Sequence, residues 1–173
     1  MQRLEFWKTV VVDEANIIGR LASLLDEERA AYCVIGGQAV NAYVEPLVSL
    51  DLDVVVAVQD LERIEPTLRT QFRVEVFAHS VNLSLPDSGL RVQIQTDPRY
   101  AAFVGRATLQ DVLGVTLPVA ALEDVLQGKI WAVLDPGRRA SKRQKDLADI
   151  ARILEARPPL RELVPREVLD RLV

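Results

Sequence analysis

The chain has 173 residues, 49% hydrophobic and 27% charged, with 9 Pro, 8 Gly, one Cys and a formal net charge of −4, which suits one globular domain with a single core. One Cys excludes an internal disulfide and a Cys-rich zinc site. No stretch approaches the roughly 18 uninterrupted apolar residues of a membrane helix, and the opening Met-Gln-Arg-Leu-Glu-Phe-Trp-Lys has no apolar leader core. We expect a cytoplasmic chain with no membrane partner.

Residues 13–30 carry Ile17, Ile18, Leu21, Leu24 and Leu25 at helical spacing, with Asp13 as N-cap and Glu14 in the first turn. The apolar run 32–35 follows, in which Cys33 reads as a packed small hydrophobe, and it closes on Gly36-Gly37. A two-turn helix with Ala39, Val40, Ala42 and Tyr43 ends at Pro46. The Val-rich run 50–58 reads as a buried strand bearing Asp51 and Asp53, and 59–70 as a helix with Leu61, Ile64 and Leu68 on one side. Strands are expected over 72–77, 81–85 and 90–95, the last two a hairpin across Pro86-Asp87-Ser88-Gly89. Asp97-Pro98 opens a short helix to about residue 105, and 115–118 reads as an edge strand. Helices over 120–134 and 140–156 and a capped tail after Pro158-Pro159 complete the chain. This order predicts an α+β domain: a mixed-sheet core over 1–118 with flanking helices, and a helical C-terminal extension of the same domain over 119–173.

The chemistry concentrates at Gly36-Gly37 and Asp51-x-Asp53. In a strand, residues two apart share a face, so the two carboxylates project side by side above a buried layer of Leu52 and Val54. Such a pair repels itself unless a cation intervenes, and Mg²⁺ commonly takes one or two carboxylates plus substrate phosphates. Glycines before a helix let backbone N–H groups and the helix N-terminus approach a phosphate chain. A second feature is basic: Arg138, Arg139, Lys142, Arg143 and Lys145 lie within eight positions of an otherwise acidic chain. This cluster reads either as a site for nucleotide or RNA phosphates or as a solvated helix start.

Val34-Ile35-Gly36-Gly37-Gln38-Ala39-Val40 followed by Leu50-Asp51-Leu52-Asp53-Val54 resembles the signature of the DNA polymerase β-like nucleotidyltransferase superfamily. Leu122-Glu123-Asp124-Val125-Leu126-Gln127-Gly128-Lys129 and Lys145-Asp146-Leu147-Ala148-Asp149-Ile150 are similar to the AbiEii-type branch, which includes toxins of toxin–antitoxin pairs. The resemblance spans about residues 17–155. It implies a nucleotidyltransferase-like fold in which Asp51 and Asp53 hold Mg²⁺, Gly36 and Gly37 contact the NTP phosphates, and Lys129 and Asp146 complete the site. The implied reaction transfers a nucleoside monophosphate to a hydroxyl on RNA, protein or a small molecule, with Arg138, Arg139, Lys142 and Arg143 as RNA contacts and a protein as a further partner.

Lys129 stands out without the family. It shares a helical stripe with Leu122, Leu126 and Val133, where an ammonium either meets a carboxylate such as Asp146 or snorkels to solvent. On the next helix Leu147, Ile150, Ala151 and Leu154 form the apolar stripe, and Asp149 reads as a plain i, i+4 partner of Lys145.

The sequence departs from the superfamily where a third carboxylate is expected. Gln93 stands there, on the polar side of strand 90–95, beside the nucleotide; it can position a hydroxyl but accepts no proton at neutral pH. Glu75 and Asp97 are candidate substitutes, and only Ser49 offers a hydroxyl before the carboxylate pair. The alternative reading is therefore a catalytically degenerate binding or interaction module; a third is a purely RNA-binding domain. His79, the only histidine, reads as structural. Neither a Gly-x-Ser-x-Gly elbow nor a Gly-x-x-x-x-Gly-Lys-Ser/Thr loop is present.

Overall fold

The computed structural model describes residues 16–172. Helix α1 (Ile17–Glu27) buries Ile17, Ile18, Leu21, Leu24 and Leu25, the five apolar residues of the predicted stripe. Asn16 precedes it in the left-handed region, at φ 52°, without a side-chain cap; the predicted N-cap Asp13 and first-turn Glu14 lie outside the described residues.

Seven strands form one mixed sheet in the order β3-β4-β5-β2-β1-β7-β6. At its centre β1 (Tyr32–Ile35) runs antiparallel to β2 (Asp51–Val56), which runs parallel to β5 (Arg91–Gln95). On one side β4 (Ser80–Ser84) pairs antiparallel with β5 and with β3 (Arg73–Val76), so the predicted hairpin across Pro86–Gly89 is present. On the other side β7 (Val115–Val119) runs parallel to β1. The predicted edge strand over 115–118 is therefore internal. The edge belongs to β6 (Thr108–Val112), paired antiparallel with β7. A two-residue turn joins them, with both Leu113 (φ 52°) and Gly114 (φ 84°) left-handed, as tight hairpins require. Leu113-Gly114 is not one of the dipeptides that announce such a turn, and Leu109 of β6 is 69% exposed, so no alternating pattern marks the strand.

The central strands are buried on both faces: Cys33, Val34, Leu52, Val54, Val55 and Val56 all lie in the core. The strand predicted from Leu50 starts one residue later, and Leu50 is exposed. Helix α2 (Gly36–Tyr43) follows β1, and α3 (Val58–Gln71) follows β2. After β5 a 3₁₀ segment, Pro98–Arg106, crosses against β2. Asp97 caps it by accepting from the Arg99 N–H at 2.9 Å, with proline at the first turn.

Beyond the sheet, α4 (Leu122–Leu134) and α5 (Ala140–Ala156) pack together and against α2. Leu122, Leu126 and Val133 are buried on α4; Leu147, Ile150, Ile153 and Leu154 are buried on α5, where Ile153 takes the place expected for Ala151. A second 3₁₀ segment (Pro158–Leu163) and α6 (Arg166–Leu169) end the description. Among the described residues no helix is long and apolar enough to cross a membrane.

Candidate active site

Pairing Ile35 with Asp53 and Asp53 with Gln93 puts the end of β1, the second aspartate and the glutamine in one row across the sheet. Above that row lies a cavity of about 400 Å³ whose walls include Gly36, Asp51, Asp53, Gln93, Lys129 and Asp146. Every predicted site residue except Gly37 lines it.

Gly36 opens α2 with φ +70°, and a Cβ there would overlap the Asp53 carboxylate. The glycine is thus required twice, by its backbone and by the side chain facing it. Gly37 differs: a Cβ would meet Ser49 Oγ at 3.5 Å and Asp149 Oδ2 at 4.0 Å, ordinary contacts. Gly36→Ala therefore costs about 2 kcal/mol or more, lowering the melting temperature by roughly 4–8 °C, whereas Gly37→Ala shifts it by less than about 2 °C. Thermal unfolding of both variants checks the asymmetry, and equal shifts would contradict it.

The approach to Asp51 is fixed by amide side chains of α2. Gln38 Nε2 donates to the Ser49 carbonyl at 2.9 Å, and Asn41 Nδ2 donates to the Leu47 carbonyl at 2.7 Å while its Oδ1 accepts from the Leu47 N–H at 3.0 Å. Ser49 is buried and donates to the Asp51 carbonyl at 3.3 Å; it shapes the loop.

The two aspartates have different surroundings. Asp51 is paired with Arg91 Nε at 3.2 Å and Lys142 Nζ at 3.3 Å. Asp53 has no hydrogen-bond or ion-pair partner among the described residues. Burial pushes its carboxyl up to about 6; the charge of Lys129 opposes that rise and Asp51 adds to it. No group of three or more His, Cys, Asp or Glu side chains able to hold a metal occurs among the described residues. Two carboxylates on one strand face, one without a counter-ion, fit a hard divalent cation that draws its remaining ligands from a substrate's phosphates and water.

Lys129 does not snorkel. It is buried, with Nζ 2.9 Å from Asp146 Oδ1 and 2.8 Å from Asp149 Oδ2. Burial acts to lower its pKa, but Asp149 and Asp146 outweigh that and hold it above the ordinary lysine value. Asp146 also accepts from Arg138 Nε at 2.9 Å, and Asp149 from Arg152 Nη1 at 2.9 Å. Arg152 Nη2 in turn donates to Asn41 Oδ1 at 2.9 Å. The expected surface pair between Lys145 and Asp149 is absent: Lys145 is exposed, while Asp149 is buried in the α4–α5 interface. Residues three apart on a helix project on neighbouring bearings, so Asp146 and Asp149 clasp one ammonium together.

The basic cluster is divided by function. Arg138 and Lys142 line the cavity. Arg143 Nη2 donates to the carbonyls of Asp135 (2.9 Å) and Arg138 (3.1 Å), fastening the turn between α4 and α5, and the residue does not line the cavity. Arg139 and Lys145 are exposed outside the cavity.

The candidate substitutes for the third carboxylate are separated too. Glu75 is on the edge strand β3, exposed and 3.6 Å from Arg73, away from the cavity. Asp97 is a cavity residue, but Arg99 hydrogen bonds, including Nη2 at 2.9 Å, hold its carboxyl below the ordinary range. His79, expected to be structural, is exposed in the turn before β4 and lines the cavity. Sequence reasoning also missed Arg99, Tyr100 and Trp131, whose only early signal was the Asp97-Pro98 helix start.

Residues 38–173 match a family model described as "Nucleotidyl transferase AbiEii toxin, Type IV TA system". The chain belongs to this AbiEii family. The matched region begins just after the Gly36-Gly37 bend. No curated protein is significantly similar in sequence. Among solved structures, the lincosamide antibiotic adenylyltransferase LnuA, lincomycin-bound, is similar at TM-score 0.55 and 13% identity, over 83% of this chain and 99% of that one. The antibiotic-resistance factor ANT(2″)-Ia is similar at TM-score 0.53 and 14% identity, over 89% and 93%. A putative nucleotidyltransferase from Thermotoga maritima is similar at TM-score 0.53 and 17% identity, over 86% and 96%. This AbiEii-family chain therefore has a nucleotidyltransferase-like fold.

Proposed function

We propose that this AbiEii-family chain is an Mg²⁺-dependent transferase that binds an NTP and moves its nucleoside monophosphate to an acceptor hydroxyl. The observation that carries the reading is the Asp53 carboxylate beside Asp51, without a hydrogen-bond or ion-pair partner among the described residues and packed against the Gly36 bend in a cavity that also presents Arg138 and Lys142. When bound, Mg²⁺ would be held by Asp51 and Asp53 and would supply charge stabilisation on the reacting phosphate.

The chain's own groups act around that centre. The backbone N–H groups at the start of α2 face the phosphate chain, and Lys142 and Arg138 neutralise the departing pyrophosphate. As the acceptor oxygen bonds to the α-phosphorus, the bond from that phosphorus to the pyrophosphate oxygen breaks, and the hydroxyl proton passes to water. Gln93, level with Asp53, holds the hydroxyl in place but takes no proton, which forgoes base assistance worth roughly 10² to 10⁴ in rate. Asp146 fixes Arg138, and Lys129 fixes Asp146.

RNA is the acceptor we favour, because Arg139 and Lys145 continue the positive charge of Arg138 and Lys142 outside the cavity. Small molecules are the alternative, as ANT(2″)-Ia is solved in complex with adenylyl-2″-tobramycin. Membership of a type IV toxin family supports an antitoxin as protein partner.

Incubation with labelled NTPs, Mg²⁺ and cell RNA is the test, beside an Asp51→Ala/Asp53→Ala control. Label that depends on both aspartates is expected; equal label with and without them defeats the catalytic claim. Gln93 favours one second reading, a degenerate nucleotide-binding module. Calorimetry separates it, since NTP·Mg²⁺ binding without any turnover is its signature.

A further inference from the structure

The cavity has a second character where the 3₁₀ segment Pro98–Arg106 meets α4. Tyr100 and Phe103 pack on Trp131, with ring centroids 5.1 Å apart for Tyr100–Trp131 and 5.7 Å for Phe103–Trp131, the latter pair within 2° of parallel. Gly128, three residues before Trp131, makes room for this wall: a Cβ there would come within 3.1 Å of Tyr100 Cε1. Tyr100 is only 7% exposed, yet its hydroxyl has no hydrogen-bond partner among the described residues. A tyrosine hydroxyl is a neutral donor near pH 7, and burial pushes its pKa further up. The Arg99 guanidinium lies over the Trp131 ring, 4.8 Å from its centroid, braced by Asp97.

Core packing accounts for Phe103 and for the buried ring of Tyr100, but not for the Tyr100 hydroxyl or for Arg99. Trp131 is only half-buried, and beside Tyr100 and Phe103 its ring carries a cation whose side chain is 54% exposed. A guanidinium plane backed by an indole is flat and weakly hydrated, and heteroaromatic rings stack on such surfaces. The charge layout fixes which ring. Lys142, in the first turn of α5, touches Asp51, and Arg138 lies in the turn before it; Tyr100 lies on the 3₁₀ segment and Trp131 on α4, with Tyr100 near enough to feel the charges of Arg99, Asp97, Arg138 and Asp53. A molecule that carries phosphates at one end, reacts over the carboxylates and offers a flat ring at the other matches this order.

We propose that the Arg99–Trp131 platform, with the free Tyr100 hydroxyl beside it, seats the nucleobase of the donor NTP. The proposal rests on the nucleotidyltransferase reading above and assigns the part of the site that distinguishes a nucleotide from a bare triphosphate.

The experiment compares Mg²⁺ complexes of the four NTPs with inorganic tripolyphosphate. The full chain carries two tryptophans, Trp7 and Trp131, so a Trp7→Phe background makes emission report Trp131. At least one NTP is expected to quench Trp131 and to bind roughly tenfold or more tighter than tripolyphosphate. Arg99→Ala, a change at an exposed side chain, should cut that preference to within about threefold while leaving tripolyphosphate affinity unchanged. Tyr100→Phe should weaken NTP but not tripolyphosphate binding. NTPs that bind no tighter than tripolyphosphate, or a preference that survives Arg99→Ala intact, overturn the base site and leave the transferase reading standing. Binding of neither ligand overturns both. Stronger quenching by an RNA oligonucleotide lacking a triphosphate than by any NTP gives the platform to the acceptor and overturns the assignment to the donor.

Discussion

Asp53→Asn is expected to abolish transfer and, in the absence of nucleotide and metal, to raise the stability of the fold at pH 7. The two effects share one cause. Burial without a partner holds the Asp53 carboxyl at about 6 against an ordinary value of 3.8, so the folded chain takes up that proton more readily than the unfolded chain. The linkage runs opposite to that of a salt-bridged aspartate. Below pH 4 the group is protonated in both states and costs nothing; between pH 4 and 6 the cost grows; above 6 it is constant at on the order of 3 kcal/mol. An asparagine of the same shape removes the cost, and roughly 5–10 °C in melting temperature follows. Wild-type minus variant stability should therefore vary between pH 4 and 6 and flatten on either side. Loss of a ligand to the metal is expected to reduce transfer at least about 10³-fold. Melting curves at pH 4, 5, 6 and 7 beside a labelled-NTP assay read both quantities. A variant that is inactive and less stable at pH 7 would mean that Asp53 already has a counter-charge in the native state.

The legible parts of this site are those whose geometry is local. Period-two projection in a strand places Asp51 and Asp53 on one face whatever the rest of the chain does, and a glycine pair between an apolar run and a helix marks a tight bend. The Lys129 stripe was legible in the same way, because an ammonium among Leu122, Leu126 and Val133 demands a partner. Asp146 was legible as one partner, and the structure places it 2.9 Å from Lys129 Nζ; the second partner was not. Asp149 sits four residues from Lys145, and a helix drawn alone pairs them; only the packing of α5 on α4 turns Asp149 inward. The same limit hid β6, whose Leu113-Gly114 turn lacks the usual residues and whose Leu109 faces solvent. It also hid His79, since a loop residue's bearing depends on how β3 and β4 meet. The aromatic wall was invisible for the same reason: Tyr100 and Trp131 are 31 positions apart and meet only because the 3₁₀ segment crosses back over β2.

Lys129→Met is the substitution expected to damage the fold most. The methionine fills a similar volume but leaves Asp146 and Asp149, both almost fully buried, sharing only Arg138 and Arg152. Removing one member of a buried ionic cluster typically costs about 3–5 kcal/mol, because the charges left behind have lost both water and partner, and roughly 6–20 °C in melting temperature follows for a chain of this size. The cluster's own arithmetic supplies the control. In Lys129→Met/Asp149→Asn one surplus negative charge is gone, Arg152 keeps an amide oxygen to bind, and Arg138 keeps Asp146. This double variant should recover at least half of the loss; if its cost equals the sum of the two single costs, the residues are not coupled. The rescued protein then separates support from chemistry. Lys129 is the largest charge acting to lower the Asp53 pKa, so without it the Asp53 carboxyl holds its proton to higher pH. The acid limb of metal-dependent activity should move toward neutrality in the rescued variant, a displacement that a purely structural lysine would not produce.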